Sequence, residues 1–285
     1  MNMKTSKRIA DILSYIVLIS VLLVAIFPIF YTIVSSFKTN AEILAHPERI
    51  FPENPSFENY ITAWKSPHFQ VSRLLWNSIY YTLAQVIITV LLSSMAGYVF
   101  ARGRFRFKKL IFACFASLMF IKLGGISIYA TFDVLNFLHI PQSLPALILV
   151  NAFGVPIVNI YLVKGYVETI PVAIDEAAKV DGASFPMIFF RIIAPLLKPI
   201  LATVAILAFQ ASWNDYLMPT IFTLNHAEQR TLIVGLMTMK NSGGAAAQWN
   251  LMLAGATIAL VPVLVAYTFA NKYFIAGLSA GAVKG

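Results

Sequence analysis

Glu176-Ala177-Ala178-Lys179-Val180-Asp181-Gly182-Ala183, followed by Phe189, Arg191, Ile192 and Pro195, interrupts a chain otherwise built of long apolar runs. Apolar segments flank it at 143–166 and 199–222. A charged excursion of this length between two such segments belongs in water. Docking of a soluble partner is its most natural use.

The apolar runs set the class. Of 285 residues, 59% are hydrophobic and 12% are charged, and the mean hydropathy is +0.77. Soluble domains run at about 45–50% apolar and about 25% charged. Most of this surface therefore meets something other than water. A bilayer core is crossed by about 20 apolar residues in a helix. Six such segments are legible, at 12–36, 75–101, 110–129, 143–166, 199–222 and 250–273. The first follows Lys4, Lys7 and Arg8. It exceeds the roughly 7–15 residues of a signal-peptide core, and no small-x-small cleavage site follows, so it reads as an uncleaved span. No hydrophilic segment is long enough to bury its own core. The expectation is an all-α integral membrane protein, one transmembrane domain over 1–285 with its core at about 75–274.

The net charge of +9 could suit nucleic acid. The bases instead flank apolar runs, which is the pattern of membrane topology and not of a nucleic-acid face. One side collects Lys4, Lys7, Arg8, Arg102, Arg104, Arg106, Lys108, Lys109, Lys164, Lys179, Arg191, Lys198, Lys272 and Lys284. The other holds Lys38, Arg49, Lys65, Arg73, Arg230 and Lys240, while Lys122 falls within a span beside Gly124-Gly125. The excess of bases places both termini and the loops at 102–109 and 167–198 in the cytoplasm. The lone cysteine, Cys114, excludes a disulfide within the chain and reads as a small buried hydrophobe.

Within 167–198, Thr169 is placed to cap a helix and Pro171 suits its first turn. Asp175 and Glu176 lie near the positive end of the helix dipole. Gly182 ends the helix as a left-handed residue would. A second short helix begins around Ser184 to Pro186, and Pro195 and Pro199 set the entry to the next span. Small alanines permit close approach, Phe185 and Phe189 offer apolar anchors, and Glu176 and Asp181 offer charged contacts. Spacing alone leaves open an amphipathic loop resting on lipid headgroups.

This run resembles the EAA loop of binding-protein-dependent ABC importer permeases, matched by Glu176, Ala177, Ala178, Gly182, Ile192 and Pro195. Ala194 stands where that family often has Leu. Asp181-Gly182-Ala183 resembles the sugar-importing branch, the smaller permease of maltose and oligosaccharide-type systems in particular. So do Asn77-Ser78, Ala96-Gly97-Tyr98 with Phe100-Ala101-Arg102, Trp213-Asn214, and the tail Phe274 to Leu278 with Gly281 to Gly285. The resemblance implies a type I ABC importer permease fold with cytoplasmic coupling helices, in a bacterial-type cytoplasmic membrane. It implies ATPase-coupling roles for Glu176, Ala177, Ala178, Asp181, Gly182, Ala183, Phe189 and Pro195. The implied partners are a second homologous permease chain, two cytoplasmic ATPase subunits and an extracytoplasmic solute-binding protein, with a carbohydrate as substrate. No G-x-x-x-x-G-K-[ST] phosphate cradle occurs. ATP and Mg are therefore expected on the partner ATPase, with no cofactor bound by this chain. The tail from Gly277 to Gly285, on the same side, is expected to reach that ATPase.

The loops at 38–74 and 224–249 are expected to face the solute-binding protein. Polar residues inside spans face a cavity or another helix. Asn77, Tyr80 and Gln85 mark the second span, Asn151 the fourth, and Gln210, Trp213 and Asn214 the fifth. Hydrogen-bonding groups beside aromatic faces suit a sugar pathway, and interhelical hydrogen bonding is the competing reading. Asp215 reads as an interface residue. A non-sugar solute is the nearest alternative. An ion-coupled transporter would need intramembrane acids that are nearly lacking. A membrane enzyme or metal site is disfavoured, because His46, His68, His139 and His226 are scattered and no H-E-x-x-H occurs.

Overall fold

The computed structural model describes residues 3–66, 70–120, 125–242 and 248–282. Its elements are helical, and no strand occurs among the described residues. In order they are α1 (Met3–Ser35), α2 (Asn40–Ala45), α3 (Glu58–Lys65), α4 (Val71–Arg102), α5 (Lys108–Ser117), α6 (Gly125–Phe137), α7 (Leu144–Ala152) and α8 (Ile157–Thr169). Then come α9 (Val172–Val180), α10 (Phe185–Ile188), a π-turn (Phe189–Ile193), α11 (Ala194–Leu196), α12 (Lys198–Trp213), α13 (Leu217–Phe222), a 3₁₀ turn (Ala227–Gln229), α14 (Leu232–Ser242) and α15 (Trp249–Ala282).

Among the described residues, three helices are long and apolar enough to cross a membrane: Asp11–Ser35, Val71–Arg102 and Trp249–Thr268. Two bent pairs, α7 with α8 and α10–α11 with α12, raise the number to five. The first bend, of 43°, falls where Pro156 caps α8 and disfavours helical geometry at Val155. The second, of 80°, falls at Leu197, between Pro195 and Pro199, which lack the N–H that would continue the ladder.

The expected span at 110–129 is not one uninterrupted helix. Helix α5 ends at Ser117 and a turn covers 118–120 before α6 starts at Gly125. Lys122 lies outside the described residues. The expected span at 199–222 is also shorter, because Asn214 caps α12 and α13 starts afresh at Leu217. Cys114 is exposed on α5 and not buried, since little packs over that short apolar helix. Residues 11–30 of α1 are exposed throughout, with Val24 at 74%. Such an apolar helix suits lipid or a neighbouring chain.

The chain packs as two compact units, 1–72 with 235–261 and 73–234 with 262–285. In the first, Asn59 is the organising side chain. Its amide donates to the Ser36 and Lys38 carbonyls at 2.7 and 2.8 Å, and its Oδ1 accepts from Asn250 at 2.7 Å. The Asn40 Oδ1 accepts from the Trp249 N–H at 2.9 Å. The buried Lys38 ammonium donates to the Arg49 carbonyl and lies 5.5 Å from the Tyr31 ring centre.

Among the described residues of the second unit, apolar side chains cluster in two places that bear on the site. One joins Tyr81, Leu135, Leu144, Leu147 and Phe222. The other joins Tyr98, Val163, Val167, Ala178, Ile188, Phe189, Ile193, Leu197, Ile200 and Val204. This second cluster seats the charged excursion on α4, α8 and α12. Gly97 permits the close approach of α4 to α8: a Cβ there would lie 2.7 Å from a Val163 methyl and 3.1 Å from the Lys164 nitrogen.

Candidate coupling site

Helix α9 lies on the protein surface with one stripe turned inward and the rest exposed, and the inward stripe carries a charged residue. Asp175 and Ala178 are buried, whereas Glu176, Ala177, Lys179 and Val180 are exposed, Val180 at 88%. Thr169 does not cap this helix. It ends α8, with its hydroxyl donating to the Tyr166 carbonyl at 2.7 Å, and Pro171 stands at the cap of α9 instead of in its first turn.

The helix closes in a Schellman motif. The Gly182 N–H donates to the Lys179 carbonyl at 3.0 Å and the Ala183 N–H to the Ala178 carbonyl at 2.9 Å. Gly182 has φ +82°, where only glycine is free of strain, and among the described residues nothing lies within 4 Å of the position its Cβ would take. The turn thus leaves Val180, Asp181 and Gly182 standing outward. Ala183 is half-buried behind them and Pro195 is exposed beyond.

Asp175 anchors this arrangement. Its Oδ1 accepts from the Tyr98 hydroxyl at 3.1 Å and its Oδ2 from the Arg102 Nε at 3.1 Å. The other end of the Arg102 guanidinium donates to the Ile170 carbonyl. The ion pair is nearly dry, with side-chain exposures of 11% for Arg102 and 3% for Asp175. Removing one partner of such a pair strands a buried charge, at a cost of about 3–5 kcal/mol. The Tyr98 ring stacks on Phe185, with centroids 4.6 Å apart, and lies 5.3 Å from Phe189.

Phe189, expected as an outward anchor, is therefore a core residue, only 5% exposed. The register of the second short helix turns it toward α4, and Phe190 faces out instead at 59%. Beyond Phe189 the π-turn lets the Ala194 N–H reach the Phe189 carbonyl, just before Pro195. Lys108 closes the end of α4, its ammonium donating to the Ala101 and Gly103 carbonyls at 3.1 and 3.0 Å. Burial, with nearby Lys164 adding to it, pushes that ammonium below the usual lysine range.

The polar residues of the spans divide. Asn77 donates to the Glu228 and Arg230 carbonyls at 2.8 and 2.9 Å, and Ser78 accepts from the Leu232 N–H at 2.7 Å. Both hold the segment that enters α14. Tyr81, buried, donates to the Asp215 carboxylate at 2.8 Å, and Asn151 is half-buried on α7. Gln85 lies one turn further along α4, 5% exposed, with its amide nitrogen unpaired. Trp213 is buried, stacked on Phe209 at 5.6 Å. Tyr80, Gln210 and Asn214 are exposed, and the Asn214 amide donates to the Gln210 carbonyl at 2.9 Å. Thus Gln210 and Asn214 do share a face, whereas Asn77 and Trp213 are occupied within the chain. Sequence reasoning passed over Arg102 and Asp175 as a pair. Their signal was an acid beside the loop and a base ending a span. No group of three His, Cys, Asp or Glu side chains suited to a metal ion occurs among the described residues.

A buried ion pair holding a charged, outward knob on a bundle of apolar helices defines a membrane component that presents a polar handle beside its apolar helices. Residues 95–279 match the family described as binding-protein-dependent transport system inner membrane component, and the chain belongs to that family. It is similar to the galactooligosaccharides transport system permease protein GanQ of Bacillus subtilis (strain 168), 32% identical over 100% of this chain and 99% of that one. The maltodextrin transport system permease protein MdxG of the same organism is also 32% identical, over 100% of both chains. In fold it resembles a chain in the crystal structure of a bacterial ABC transporter involved in the import of the acidic polysaccharide alginate. There the TM-score is 0.81 at 24% identity, covering 94% of this chain and 98% of that one. The protein is thus a multi-pass permease component of the inner membrane, a transport subunit and not an enzyme.

Proposed function

We propose that this chain is the permease subunit of an ATP-driven importer of a sugar or oligosaccharide, coupled through α9 to a separate ATPase. The observation that carries this reading is the outward knob of Glu176, Ala177, Val180, Asp181 and Gly182, fixed from behind by Asp175. Six spans with both termini cytoplasmic fit this role: α1, α4, the α5–α6 region, α7 with α8, α12 and α15. The excess of bases on the α9 side supports that orientation. A second, related permease chain completes the pathway, and two ATPase subunits hold ATP and Mg. A solute-binding protein delivers the substrate at the outer face.

The sugar assignment rests on what the oligosaccharide permeases named above carry, together with polar groups along the spans. Gln210, Asn214 and Tyr80 are exposed for contact with substrate or with the second permease, while Gln85 and Asn151 lie deeper. Coupling requires the ATPase and the binding protein each to bind the two states of the permease unequally.

Gly182→Val tests the handle. Left-handed geometry costs a branched residue more than the roughly 1–2 kcal/mol of an ordinary L-residue, so the turn should reshape. In proteoliposomes holding the full complex, uptake of labelled oligosaccharide should collapse while the protein still inserts. Wild-type uptake by Gly182→Val would remove the handle from the mechanism. Uptake of an amino acid but of no saccharide would remove the sugar assignment.

A further inference from the structure

The buried acid of the coupling segment does more than pack. We infer that Arg102 and Asp175 are the positioning residues that make α9 move as one body with α4, so that a displacement of the handle enters the membrane through α4. This rests on the reading that α9 receives the ATPase.

Three observations converge on it. First, both oxygens of Asp175 are engaged, by Tyr98 and Arg102, which lie four residues apart on one face of α4. Two contacts separated along the α4 axis fix the rotation of α9 as well as its distance, which one contact would not. Second, the same guanidinium donates to the Ile170 carbonyl in the short link between α8 and α9. The hinge at which α9 could swing free is thereby held by the side chain that holds α9 itself. Third, α4 and α8 touch backbone to side chain at Gly97, where a Cβ would fall 2.7 Å from Val163. The inner ends of α4, α8 and α9 therefore form one block. Helix α4 runs unbroken from Val71 to Arg102, about 48 Å at 1.5 Å per residue.

A purely apolar contact could seat α9 equally well, and buried ion pairs are a poor source of stability. What the pair adds is direction. Glu176, the adjacent acid, is exposed, so the clamp and the docking face occupy different sides of one short helix.

The test uses the full complex in proteoliposomes, with uptake per ATP hydrolysed as the readout. A second readout is disulfide crosslinking of Val180→Cys to a cysteine on the ATPase. Arg102→Ala and Asp175→Asn should keep the crosslink yet lower uptake per ATP by about tenfold, within the range of mutations that alter coupling between sites. Arg102→Lys, which keeps the charge, should recover much of the ratio. A wild-type ratio in both Arg102→Ala and Asp175→Asn overturns the inference. Should those two fail to reach the membrane, Tyr98→Phe decides, because it removes one hydroxyl and leaves the ring. A lowered ratio supports the clamp and an unchanged one overturns it. Loss of the Val180→Cys crosslink with Arg102 and Asp175 intact would overturn the docking of the ATPase on α9, and the clamp with it.

Discussion

Asp175 and Glu176 are neighbours in sequence and opposite in placement. Successive residues of a helix point about 100° apart, so one acid faces α4 and the other faces water. Both are legible as acids near a helix start, but which of them turns inward depends on where Arg102 ends up. The same holds for Asn77, which reads as a pathway residue and in fact clamps the 228–230 segment. Asparagine in a span satisfies backbone carbonyls as readily as substrate hydroxyls, and the carbonyls here come from a segment some 150 positions distant. Tyr81→Phe tests this scale. It strips the hydroxyl from a half-buried carboxylate, and should lower stability by about 1–3 kcal/mol. A thermal melt of the purified protein should fall by several degrees, and an unchanged melt would mean that water replaces the bond.

At the scale of elements, the Gly182 turn, the two short helices of the coupling loop and the long helix α4 follow from local rules. Gly supplies the left-handed residue, Pro supplies the breaks, and an apolar run of bilayer length supplies the span. The failures were also local. The end of α5 at Ser117 and the end of α12 at Trp213 fall inside segments read as single spans, because the breaks that Lys122, Gly124-Gly125 and Asn214-Asp215 offer in sequence are averaged away over a run of bilayer length. Phe189 and Phe190 are equally apolar, and only packing against Tyr98 decides which is core. Gly97→Val is the prediction here. The branched side chain would meet Val163 and the backbone of Lys164, forcing α4 and α8 apart, and overpacking of this kind costs about 1–3 kcal/mol. Protease resistance of the coupling loop should drop in the variant, and wild-type resistance would show that α8 moves aside freely.

For the whole molecule, orientation is the decisive property. Single cysteines at Val180 and Glu53, each in a Cys114→Ser background, should label from opposite faces of sealed membrane vesicles, Val180→Cys from the cytoplasmic face. Labelling of both from one face would overturn the topology. The sequence by itself determined the solvent, because an apolar fraction of 59% leaves too little polar surface for water. It also determined the presence and shape of the handle, because a glycine turn and a run of alanines act over a few residues. Only the tertiary structure decided what grips the handle from behind. That grip joins Tyr98 and Arg102 to Asp175 across more than 70 positions, and a contact between helices depends on rotations and crossings that no local pattern encodes.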